Sequence, residues 1–90
     1  MDSKKFIKMA KQIVLEYVAQ HKDPTDEMGI GTEDVYVVWL CKALQNNKAL
    51  ISTTLCDGMY YEVTYNGDKN EFYLDVYKKW ENVCIEPVGI

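Results

Sequence analysis

Residues 35–80 read VYVVWLCKALQNNKALISTTLCDGMYYEVTYNGDKNEFYLDVYKKW. β-Branched and aromatic side chains dominate this stretch, and its second half alternates apolar and polar residues with a period of two. That is the pattern of half-buried strands. Four strands are predicted, at about 35–45, 48–56, 59–66 and 70–80. Asn46-Asn47 supplies two residues that tolerate a left-handed turn, Asp57-Gly58 is a hairpin signal, and Asn66-Gly67-Asp68-Lys69 makes the third turn. Each connection is too short for a parallel crossover, so the strands form an antiparallel meander. Thr32 followed by two acids resembles a helix cap, but VYVVW loses side-chain freedom in a helix and reads better as a strand. Pro87 stops pairing in the tail, residues 81–90.

Ahead of the sheet, Phe6, Ala10, Ile13, Val14, Tyr17 and Val18 recur every three to four residues, with Ile7 and Met9 beside them. This predicts an amphipathic helix at about 3–21, capped by Asp2 or Ser3 and stopped before Asp23-Pro24. Lys4, Lys5, Lys8 and Lys11 lie on its outer side. Residues 23–34, DPTDEMGIGTED, hold five acids, two glycines and no base, the composition of an acidic loop. One helix over a four-stranded antiparallel sheet is a two-layer α+β fold, and residues 1–90 read as a single domain.

Short turns at 46–47, 57–58 and 67–68 also divide the side chains between two faces. They pair Trp39 with Thr54, Thr54 with Tyr61, and Val63 with Phe72. The face toward the helix then carries Trp39, Cys41, Ala43, Leu50, Met59, Tyr61, Val63, Tyr65, Phe72, Leu74 and Val76. The opposite face carries Val38, Leu40, Leu44, Ile51, Leu55, Tyr60, Tyr73 and Tyr77, mixed with Lys42, Thr53, Glu62, Thr64 and Asp75. In this register Tyr60 faces Asp75 and Glu62 faces Tyr73. A solvated face reads mostly polar, and a single helix covers only one side. The eight apolar and aromatic residues are therefore a candidate contact surface, most simply in a homodimer, or for a host protein.

Composition narrows the function. The chain has 90 residues, 48% hydrophobic and 27% charged, with net charge −4 and pI about 4.8. An acidic balance argues against a general nucleic-acid binder. No apolar run reaches the roughly 18 residues of a spanning helix, so no membrane association is expected, and MDSKKF lacks the core of a signal peptide. Three cysteines without close spacing fit a reducing cytoplasm and free thiols. The single histidine, His21, falls at the predicted helix end, where it favours the helix dipole. Cys41 reads as a buried small hydrophobe, and nothing near Cys56 lowers its pKa. Cys41, Cys56, Cys84 and His21 lack the spacing of a zinc site. Gly29-Ile30-Gly31 is too short for a phosphate loop, and Asp57, Glu62, Glu71 and Asp75 need a pocket to do acid–base work. No catalytic residue, metal or cofactor is expected.

The segments VYVVW (35–39), LISTTL (50–55), DGMYYEVTYNGDK (57–69) and YLDVYKKWENVCI (73–85) resemble a family of small uncharacterised proteins from phages and prophages of Gram-positive bacteria. The resemblance covers the sheet closely and the helix by general character. It implies no activity and no catalytic residues. It does imply a setting in the cytoplasm of an infected host, where small acidic phage proteins often disable host machinery such as CRISPR nucleases. The expectation is a non-enzymatic binding protein that inhibits a host factor, with Glu27, Glu33 and Asp34 imitating phosphates in a basic channel. Two other readings are a dimer enclosing a nucleotide, with tyrosines on the base and Lys42 on a phosphate, and a virion assembly subunit.

Overall fold

The computed structural model describes residues 1–21 and 29–87. Its elements run in the expected order: a helix α1 (Ser3–Gln20), a 3-10 turn (Thr32–Asp34), and strands β1 (Val35–Ala43), β2 (Asn46–Thr53), β3 (Met59–Asn66) and β4 (Glu71–Lys78). The strands form one antiparallel sheet in the order β1-β2-β3-β4. This is the α+β meander the sequence predicts.

Helix α1 starts where Asp2 accepts a hydrogen bond from the Lys5 N–H at 2.8 Å. Such a cap contributes about 1 kcal/mol. At the far end the His21 N–H donates to the Tyr17 and Val18 carbonyls. The His21 ring sits 3.9 Å from the Tyr17 ring, and its Nδ1–H donates to the Tyr17 carbonyl at 2.8 Å. Phe6, Ala10 and Val14, four residues apart, are the fully buried stripe. They rest on Val35, Ala49, Ile51, Tyr61, Val63 and Tyr65. Phe6 stacks on Phe72 with ring centres 6.4 Å apart, and Tyr17 meets Tyr61 edge-on at 5.8 Å. The helix covers β1, β2 and β3. Phe72, Leu74 and Val76 on β4 remain only half-buried.

All three turns differ from the sequence reading, and the faces of β1 and β2 change with them. The β1–β2 turn is Leu44-Gln45, with Leu44 left-handed at φ 57°, and Asn46 and Asn47 belong to β2. The β2–β3 connection is the whole of residues 54–58 rather than the Asp57-Gly58 pair. Within it the Leu55 N–H donates to Thr53 Oγ1, the Met59 N–H donates to Asp57 Oδ1, and Gly58 adopts φ 69°. Tyr61 therefore faces Ile51 instead of Thr54. A three-residue slip is odd, so every β2 side chain changes face. Ile51 and Thr53 lie buried on the helix side, and Leu50 points outward. On β3–β4 the slip is two, with Val63 facing Leu74, so those faces stand as read. Tyr60 faces Tyr77 and Glu62 faces Asp75.

A β-bulge between Val37 and Trp39 completes the exchange. Val35 and Val37 point toward the helix, Val38 is the extra residue, and Trp39 lies outward opposite Leu50. Leu40 and Lys42 fall on the helix side, opposite Ala49 and Asn47. Lys42 Nζ donates to the Met1 carbonyl at 3.1 Å. Cys41, read as buried, is exposed on the outer face. Leu40 stays partly exposed on this side.

The β1–β2 and β3–β4 turns are locked together. Gln45 Nε2 donates to both carboxylate oxygens of Asp68 at 2.9 Å, and the Gly67 N–H donates to Asn46 Oδ1 at 3.0 Å. A Cβ on Gly67 would stand 2.3 Å from the Gln45 carbonyl oxygen and 2.8 Å from its Cβ. The obstacle is backbone, so the turns must part to admit it. Gly67→Ala should cost about 1–3 kcal/mol in urea unfolding. A loss below about 0.5 kcal/mol, the range of an indifferent surface change, would show that the turns do not touch.

Candidate functional site

With the register fixed, the outer face resolves into rows across the sheet. One row is Tyr36, Ser52, Tyr60 and Tyr77, the next Trp39, Leu50, Glu62 and Asp75, and the third Cys41, Lys48, Thr64 and Tyr73. Tyr36, Trp39, Tyr73 and Tyr77 are exposed large side chains. Glu62 and Asp75 are like charges directly opposite each other, an unfavourable pair. Lys48 Nζ, 3.4 Å from Glu62, offsets part of that repulsion. The Ser52 hydroxyl is already used, donating to the Met59 carbonyl at 3.0 Å.

Two shallow hollows open on this face, on either side of Tyr60. One, about 410 Å³, lies between Leu50, Tyr60, Tyr77, Lys78 and Lys79. The other, about 530 Å³, runs from Tyr36 and Tyr60 to Leu55, Cys56 and Lys79 beside the β2–β3 connection. The first is lined mainly by apolar and aromatic surface, the second also by Ser52, Thr53 and Asp57, and Lys79 borders both.

Two tyrosines titrate above the usual range. The Tyr73 hydroxyl donates to Glu71 Oε2, and that bond to a carboxylate, followed by slight desolvation, holds its proton on. Tyr61 is pushed up first by burial under the helix and then by Asp57 and Tyr17. Neither is paired with a base that would take its proton. Cys41, Cys56 and Cys84 are exposed free thiols. Among the described residues no group of three His, Cys, Asp or Glu side chains is placed to hold a metal ion.

The sequence-based contact surface is partly redrawn. Tyr60, Tyr73 and Tyr77 stand on the outer face together, and Leu55 lines its second hollow. Ile51 belongs to the core and Leu40 to the helix side. Val38 is the bulge residue, and Leu44 projects from its turn 88% exposed. Lys42, assigned to a ligand phosphate in the nucleotide reading, is on the wrong face for that role. Of the acids, Glu27 lies outside the described residues and Glu33 is exposed. Asp34 is engaged: its carboxylate accepts from the Gly31 N–H at 2.9 Å and from Thr54 Oγ1 at 3.4 Å. It holds the 3-10 turn to the sheet. Trp39 and Leu50 join the outer face only through the corrected register, while Tyr36 precedes the bulge and has the outward parity already. Their signal was the outward set Lys48, Leu50, Ser52, more polar than Asn47, Ala49, Ile51, Thr53 only at Lys48.

The architecture and this face define a two-layer α+β meander domain whose uncovered side is an aromatic platform. The chain belongs to the family of unknown function DUF6275, whose family model matches residues 7–87. That span takes in most of the helix, the whole sheet and the segment after it. No curated protein and no solved structure matches the chain. Among the described residues no helix is long and apolar enough to cross a membrane.

Proposed function

We propose that the chain is a small non-enzymatic binding protein that buries the outer face of its sheet against protein. The observation that carries this reading is the exposed set Tyr36, Trp39, Tyr73 and Tyr77, gathered on one side of a sheet whose other side is already covered. Tyrosine and tryptophan are the residues that anchor protein interfaces, because each buries a large ring at small entropic cost and keeps a polar tip. The Lys48–Glu62 pair in the middle of the patch adds orientation more than affinity. The resemblance to phage and prophage proteins gives the proposal its setting: a phage-encoded protein in the host cytoplasm, acting by occupying a host factor such as a defence nuclease. In this setting the exposed aromatic set supplies the contact, with Glu33 an exposed acid of the 3-10 turn.

Tyr77→Glu tests the proposal, because Tyr77 is exposed and its loss leaves the core intact. The wild type and the variant are immobilised and exposed to lysate of a Gram-positive bacterium, and the captured proteins are compared by mass spectrometry. Proteins held by the wild type should be lost from the folded variant. The same set retained by both would overturn the reading, as would a chain that captures nothing and also stays monomeric.

A further inference from the structure

The geometry points to a second copy of this chain as the occupant of the outer face, with residues 79–87 of each copy laid over the sheet of the other. This rests on the outer face being a protein contact. After β4 the backbone is held once more, where the Lys79 N–H donates to the Gly58 carbonyl at 2.7 Å. Beyond that point every residue through Pro87 is exposed. Trp80 is 95% exposed, Val83 59% and Ile85 83%. A segment meant only for water has no use for three large apolar side chains within six positions.

The chain thus carries two bare apolar surfaces, a sheet face and an arm. The arm does not return to its own sheet. Trp80, Val83 and Ile85 are all exposed in the single copy, so none of them is laid on the sheet they follow. A two-fold arrangement covers both surfaces twice in one event, since the face of each copy meets the arm of the other. Lys79 borders both hollows, so an arriving arm finds apolar space beside Tyr60 and Tyr77 at the place where the resident arm departs.

The areas agree with this. Four strands about 4.8 Å apart and eight residues long, at about 3.3 Å each, present on the order of 500 Å². Two such faces bury about 1,000 Å², the lower bound for a specific interface. A buried tryptophan adds about 150–250 Å². With Val83 and Ile85, two arms raise the total to about 1,600 Å², the size of a standard stable interface.

Sedimentation equilibrium of the full chain at about 50 μM is the test, a concentration that populates any dimer of micromolar affinity. The wild type should show twice the 10.4 kDa mass of the chain. Trp80→Ala and Trp39→Glu, both exposed in the single copy, should stay folded by circular dichroism and each weaken the dimer by about tenfold or more. A dimer weakened by Trp39→Glu but unchanged by Trp80→Ala would overturn the exchange of arms and leave the face as the contact. A dimer indifferent to both places the contact elsewhere and overturns this inference, and the capture experiment with Tyr77→Glu then decides the proposed function. A wild type that stays monomeric overturns the second copy alone, and the capture experiment with Tyr77→Glu then decides whether the face meets another protein.

Discussion

Ile51→Lys should destabilise the protein by about 4–5 kcal/mol or more, whereas Leu50→Lys, one residue away, should lose about 1 kcal/mol or less. Ile51 has no exposed surface and sits under the helix between Val37 and Tyr61. A lysine there forfeits the apolar burial and must either bury an unpaired charge or give up its proton, a change in the range of 4–5 kcal/mol or more. Leu50 looks outward and lies directly opposite Glu62, so an ammonium at that position meets a carboxylate. Urea unfolding of the two variants measures the register of β2 directly. If Leu50→Lys were the one that unfolds, the faces would have to be exchanged again.

Phe6→Ala should destabilise the protein by about 3–5 kcal/mol, the cost of removing a ring from a core that cannot collapse around the gap. Phe6 is fully buried, stacks on Phe72, and is the largest side chain that α1 drives into the sheet. A chain of this size holds about 5–13 kcal/mol in total. Its unfolding midpoint should therefore fall to a small concentration of urea. Lys8→Ala, on the exposed side of the same helix, should stay within about 0.5 kcal/mol of the wild type. Equal effects from the two would mean that α1 does not dock by the Phe6, Ala10, Val14 stripe.

The parts of this fold that sequence shows are those in which one residue set is apolar and the other is not. The helix stripe is one. The strands MYYEVTYN and EFYLDVYK are the others, because Glu62, Thr64 and Asp75 mark the wet side unambiguously. Their pairing differs by two residues from the one a short turn dictates, and an even slip leaves every side chain on its proper face. VYVVWLC and ALIS carry no such mark. Apolar residues follow one another there, so face assignment passed entirely to turn length. The β2–β3 turn uses five residues stitched by Thr53 and Asp57 side chains, not the two that Asp57-Gly58 suggests. The bulge at Val38 then changes the parity of β1 halfway along, which no alternation of hydrophobicity announces. The candidate site suffered accordingly. Its tyrosines from β3 and β4 were legible, while Trp39 and Leu50 were hidden behind Ile51 and Leu40. The arm went unnoticed because exposed tryptophan leaves no periodic trace.

The same bulge bears on whether another strand can add to the edge of the sheet. The meander is open, and β1 and β4 each leave one rim of unpaired N–H and C=O groups, a template on which further strands polymerise. At Val38 the outer rim of β1 is bent out of regular spacing, so an incoming straight strand loses its hydrogen-bond match within a few residues. On β4 the side chains of Glu71, Asp75 and Lys78 bring fixed charges to the opposite rim. Endless addition, edge to edge, is therefore opposed at both borders of the sheet.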